Sequence, residues 1–150
     1  MQTSTSNSIR PRPSGFTVLA LINAVALIVT LTFWTLVSFK RFIPFPGGLS
    51  SPPERANAAV TYGFMIGDLL YSVPLLFLAA IGIWRLRAWG WTAGQMANIL
   101  WIYSVTVILF RDAQTSFSPG GLLFAPFALV ALWATPYLWR KRGLFGISVD

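Results

Sequence analysis

FTVLALINAVALIVTLTFWTLVS, residues 16–38, runs from Phe16 to Ser38 without one charged side chain. A helix needs about 17–25 residues at about 1.5 Å each to cross a hydrocarbon layer of roughly 30 Å, and this block has that length. Water is absent there, so the backbone must satisfy its own N–H and C=O groups, and a helix is the state expected. Arg10 and Arg12 give the block the basic lead-in of a signal peptide. The apolar stretch is too long for that, however, and Phe39-Lys40-Arg41-Phe42 follows where small residues would mark a cleavage site. It is read as a retained span.

Three further blocks lie downstream, at residues 58–84, 89–110 and 122–139; the second is interrupted by Asp68 and Pro74. The fold expected is an all-α membrane protein, a four-helix transmembrane bundle over 16–140. A flexible, polar Ser/Thr/Pro-rich tail (1–15) precedes it and a short basic tail (141–150) follows. Pro44, Pro46, Gly47, Gly48, Pro52 and Pro53 crowd the connection between the first two blocks, which is expected to be irregular over 39–57.

Composition points the same way. Only 10% of the 150 residues are charged, where a soluble domain carries about 25%. The net charge of +7 raises the question of nucleic acid, but the basic residues stand singly or in small groups beside the ends of apolar blocks. Those positions anchor helices at an anionic leaflet, so the partner expected is the lipid bilayer and no nucleic acid. Arg10, Arg12, Arg85, Arg87, Arg140, Lys141 and Arg142 fall on one side of a four-span chain, and Lys40, Arg41, Arg55 and Arg111 on the other. Seven against four places both termini in the cytoplasm, and the size and charge style suit a bacterial inner membrane. Trp84, Trp89, Trp91, Tyr137 and Trp139 stand at the expected cytoplasmic boundary, where amphipathic rings collect.

The chain has neither cysteine nor histidine, which removes thiolate nucleophiles, histidine-bound haem and any Ser-His-Asp triad. Its four acids are Glu54, Asp68, Asp112 and Asp150, and no two share a helix face. Neither a paired-carboxylate active site nor a carboxylate metal site can be assembled within one span. The expectation is a protein without catalytic residues, metal or cofactor, and not an enzyme.

Two small-residue steps carry the packing. Gly63 to Gly67 and Gly90 to Gly94 each repeat at the GxxxG spacing that lets membrane helices approach closely. Either step serves as a contact inside the bundle or docks another subunit; the spacing does not separate the two.

Asp68 is the residue most open to a functional reading. A charged carboxylate near mid-bilayer costs at least about 2.5 kcal/mol, so such acids face a bundle interior and take partners there. Pro74 removes a backbone hydrogen bond to Leu70 and is expected to bend the same span. Residues expected at similar depth are Tyr103, Ser104 and Thr106 on the third span and Thr30, Thr32 and Thr35 on the first, with Arg111 able to reach inwards and pair with Asp68. Gln95 and Asn98 form a second polar pair, level with Asn23, expected to hydrogen-bond across helices.

The stretch 67–103, with Gly67-Asp68, Pro74-Leu75-Leu76, Trp84-Arg85-Leu86-Arg87 and Trp89-Gly90-Trp91, resembles small four-helix bacterial inner-membrane proteins of unknown function. The resemblance covers the central third and implies no activity. Small multidrug exporters are similar in size but carry a membrane glutamate in the first span, and vitamin K epoxide reductase relatives need cysteines; this chain has neither feature. Two functions are therefore expected: an accessory or assembly subunit associating with other membrane proteins or itself, or a small oligomeric transporter or channel using Asp68 as an ion or proton site.

Overall fold

A computed structural model describes residues 12–39, 51–114 and 120–147. Most of the expected N-terminal tail and of the Pro/Gly-rich connection lies outside the described residues. The rest is helical: α1 (Ser14–Ser38), α2 (Pro52–Gly67), a π-helical turn (Asp68–Ser72), α3 (Val73–Trp84), α4 (Ala88–Gln114), α5 (Gly120–Arg140) and a 3-10 turn (Arg142–Phe145). α2, the π turn and α3 form one continuous helix, so four helices are long and apolar enough to cross a membrane.

The second span starts six residues before the expected boundary, because Pro52 and Pro53 initiate the helix instead of breaking it. They fill its first turn, where a missing N–H costs nothing. Ser51 completes a capping box: its Oγ accepts from the Glu54 N–H, and the Glu54 carboxylate accepts from the Ser51 N–H at 3.0 Å. The run Pro52–Trp84 is 33 residues, about 50 Å of helix at 1.5 Å per residue. That exceeds the hydrocarbon layer, so its polar first turns extend beyond it.

α1, α3, α4 and α5 pack in series, α1 on α3, α3 on α4 and α4 on α5. The tightest contact follows the sharp turn after α3. There Leu86 adopts a left-handed conformation (φ 51°), and the Leu86 and Arg87 N–H groups return to the carbonyls of Ile83 and Gly82, closing α3 with a Schellman motif. The chain reverses at once and brings Gly90 against Gly82, backbone to backbone; a methyl on either would collide with the other. Gly94 faces Ile83 and Leu138. Of the two expected GxxxG steps, Gly90–Gly94 thus packs within the bundle, with Gly82 as a partner that no GxxxG spacing marks.

The start of α1 and the end of α5 meet at this same end. Phe16 lies against Tyr137 and edge-on to Phe145, which tucks the first part of the C-terminal tail under the core. The Trp91 indole N–H donates to the Leu138 carbonyl at 3.0 Å, and the Arg12 guanidinium lies 4.5 Å from the Trp84 ring. Arg12, Arg85, Arg87, Arg140, Lys141 and Arg142 are therefore gathered at one end of the bundle.

Toward the other end the core thins. α2 is the exception to the series packing: among the described residues its backbone lies close chiefly to the π turn that continues it. Longer side chains hold it to its neighbours, through Ser38 to Met65 and Arg111 to Thr61. Among the described residues, a side chain started at Gly63 or Gly67 would meet nothing within 4 Å, so this step is open.

Candidate functional site

Asp68 is the midpoint of the 33-residue helix and the first residue of its π turn. Pro74 has no N–H to give Leu70, and its ring crowds that turn. The chain widens just before it: the Val73 N–H bonds to the Asp68 carbonyl, five residues back. Such single π turns insert one residue into an α-helix and rotate what precedes by about 100°. The expected proline effect thus takes the form of a π turn beginning at the acid.

The Asp68 carboxylate is bonded on both oxygens. Oδ2 accepts from the Trp34 indole N–H of α1 at 2.8 Å, and Oδ1 accepts from the Ser72 hydroxyl at 2.8 Å. A carboxylate offers about four acceptor positions, so capacity is left. Among the described residues no basic side chain lies within ion-pair distance of it.

The divergence of α2 leaves a cavity of about 60 Å³ beside this carboxylate. Thr30, Thr61, Asp68, Ser72, Ser104 and Arg111 supply its polar lining. Phe33, Trp34, Phe64, Trp101 and Phe124 supply rings, Phe33 meeting Trp34 and Phe124 edge-on. Thr30 is 4% exposed, and its Oγ1 has no hydrogen-bond partner. An unmet buried hydroxyl is uncommon in a native fold and marks a place where a ligand atom or water can bond. A groove of about 280 Å³ adjoins the cavity between α2 and α4; both are lined by Phe64, Asp68, Ser72, Leu100 and Ser104. Val60, Gly63, Gly67, Tyr71 and Tyr103 complete the groove.

Several expected neighbours are placed differently. Arg111 does not pair with Asp68. Its guanidinium meets the adjacent Asp112 at 2.9 Å and donates to Thr61 at 3.4 Å. Asp112 is buried, not part of an outer loop, and its Oδ2 accepts the Gly121 N–H at 2.9 Å, clamping the end of α4 to the start of α5. α4 continues to Gln114, four residues past the expected boundary, which carries Asp112 into the packed end. Tyr103 is 61% exposed and stands at the groove. Thr32, Thr35 and Thr106 are exposed, while Thr30 and Ser104 reach the cavity.

Gln95 and Asn98 do not bond to each other. Gln95 donates to the Thr135 carbonyl of α5 at 3.2 Å, while its Oε1 and the Asn98 Nδ2 are buried without partners. Asn23 donates to Leu19 on its own helix. These amides lie apart from the cavity, and only Gln95 joins two helices.

Sequence reasoning missed Ser72 and Thr61 as members of the site; it placed Trp34 deep in the bundle, facing another helix or a ligand, without linking it to Asp68. Ser72 carries a local signal, a hydroxyl four residues after the acid on one helix. Trp34 had only its unusual depth, away from the boundary where tryptophans collect. No protein-family model, curated protein or solved structure matches this chain.

Proposed function

We propose that this is a non-enzymatic, multi-pass protein of a bacterial inner membrane, with both termini cytoplasmic, that holds a cation at Asp68 and acts as a small oligomeric transporter or channel. The observation that carries this reading is the carboxylate itself: at the midpoint of a spanning helix, it borders a cavity and has no basic partner among the described residues. Intramembrane acids so placed mark ion and proton pathways. Four helices enclose little space, which favours an oligomer. The test is ion and proton flux in proteoliposomes. Flux in the wild type that disappears in a folded Asp68→Asn variant supports the reading; equal flux in both ends it.

One observation favours an accessory or assembly role instead. The second span is the least buried of the four, and its Gly63–Gly67 step is open to a neighbouring helix. Gentle extraction from native membranes, a native gel and mass spectrometry of the band decide it. Co-migration with larger proteins, lost when Gly67 is enlarged, establishes a subunit; migration alone or as a homo-oligomer rules it out.

A further inference from the structure

The cation site proposed above leaves its ligand unnamed, and the cavity and groove together define a chemical class. The Asp68 carboxylate retains acceptor capacity after Trp34 and Ser72 have bonded to it. Thr30, 4% exposed, lines the same cavity, and its buried Oγ1 has no hydrogen-bond partner. Arg111, the one basic residue on the lining, sits against Asp112, so the three charges sum to one negative. A cation is the complement of that charge.

The type of cation follows from the remaining lining. Among the described residues no three acidic, histidine or cysteine side chains come together, and a divalent ion would need more carboxylate oxygens than Asp68 provides. Five aromatic rings surround the cavity instead, the lining that attracts an organic ammonium through its ring faces. Two acceptors, Asp68 and Thr30, await donors, so an ammonium bearing N–H groups fits where a quaternary one leaves them unmet. About 60 Å³ suits such a head without bulky substituents.

The route follows from the groove. It runs between α2 and α4 with exposed Tyr71 and Tyr103 beside it, and it shares the Asp68 carboxylate with the cavity. Among the described residues no neighbouring element comes within 4 Å of where a side chain would start at Gly63 or Gly67, which keeps it open. These positions fall within a membrane-crossing helix, so a molecule reaching Asp68 this way comes from the lipid and carries apolar surface.

We propose that the protein binds lipophilic primary to tertiary ammonium compounds, which enter from the bilayer between α2 and α4 and seat their cationic head between Asp68 and Thr30. This rests on reading Asp68 as a cation site, and binding is separable from transport. The probe is dansylcadaverine, a primary ammonium on an alkyl chain with a dansyl group. It is titrated into the full-length protein in nanodiscs and followed by energy transfer from tryptophan, with empty nanodiscs as the baseline.

Saturable transfer is expected, weakened at least tenfold in Asp68→Asn and partly restored in Asp68→Glu. Gly67→Leu, whose Cβ meets no neighbour and whose longer side chain enters the groove, is expected to weaken or slow binding while Asp68 is intact. The N-acetylated, neutral probe is expected to show no saturable signal. Transfer that does not saturate, or is the same for the neutral probe or for both variants, overturns the proposal. If Asp68→Asn does not fold, Gly67→Leu and the neutral probe decide alone. Flux that depends on Asp68 without amine binding overturns this inference and leaves the transporter reading standing. Amine binding that depends on Asp68 without flux upholds the inference and sinks transport.

Discussion

The indole N–H of Trp34 donates to Oδ2 of Asp68 at 2.8 Å, tying the first span to the midpoint of the second. No other hydrogen bond among the described residues joins α1 to the π turn, in a region where backbone contacts are few. The bond both positions the carboxylate and closes one wall of the cavity.

Trp34→Phe keeps an aromatic ring against Phe33 but deletes the donor. Loss of a hydrogen bond to a partly buried carboxylate is expected to destabilise the bundle by about 1–3 kcal/mol. A double-mutant cycle with Asp68→Leu should show the two losses to be non-additive, since both remove the same bond. Equal and additive losses in thermal unfolding of the nanodisc-embedded protein would show that the contact contributes nothing.

The glycines divide sharply. Gly82→Ala and Gly90→Ala each place a methyl inside the facing backbone, and overpacking of this kind costs about 1–3 kcal/mol. Gly63→Ala and Gly67→Ala meet nothing; helix propensity alone should leave them neutral or stabilising by up to about 1 kcal/mol. Melting of all four variants checks this, and a fall in stability at Gly63 or Gly67 in the isolated protein would contradict the open face.

How much of this was legible beforehand depended on the kind of signal. The four spans were, because lipid demands long uncharged runs, and the gathering of Arg12, Arg85, Arg87, Arg140, Lys141 and Arg142 at one end follows from alternating crossings. The start of the second span was not, because Pro52 and Pro53 carry opposite meanings inside a helix and at its first turn. Only the Ser51–Glu54 box distinguishes them. Asp68 stood out through its rarity in lipid, but its partner did not. Arg111 was at reach by depth and charge, yet Asp112, one residue away, holds it at the bundle's end. Gly82 escaped because its partner Gly90 lies on the next helix, across a turn no helical spacing describes.

Asp112 is the one buried acid among the described residues, and it has a structural task. Its carboxylate holds the Arg111 guanidinium at 2.9 Å and the Gly121 N–H at 2.9 Å. Asp112→Ala removes both contacts and leaves the Gly121 N–H without its acceptor, while Arg111 keeps Thr61, so a loss of about 1–3 kcal/mol is expected. Asp112→Asn retains a carbonyl oxygen for Gly121 and should lose less. If Asp112→Ala melts like the wild type, this clamp adds nothing to the packing that already joins α4 and α5.

The basic end can be assigned to a side of the membrane directly, because the chain has no cysteine of its own. Single cysteines at Arg87 and at Ala56 are expected to react with an impermeant maleimide from opposite faces, Arg87 from the cytoplasmic one. Labelling of Arg87 from outside in intact cells would invert the proposed orientation.

Thr30 separates folding from binding most cleanly. Its hydroxyl is buried and has no partner, on a residue that lines the cavity, so the empty protein derives nothing from it. Thr30→Val removes the unmet polar group at nearly constant shape, and relief of that desolvation is expected to stabilise the empty bundle, by up to about 1–3 kcal/mol. An ammonium head bonded to Thr30 Oγ1 would lose one acceptor in the same variant. Stability and affinity for dansylcadaverine should therefore move in opposite directions, melting rising while binding weakens. A variant that melts higher and binds as well as the wild type would place the head elsewhere than between Thr30 and Asp68. One that melts lower would show that the hydroxyl already has a partner, most simply a water, in the protein without ligand.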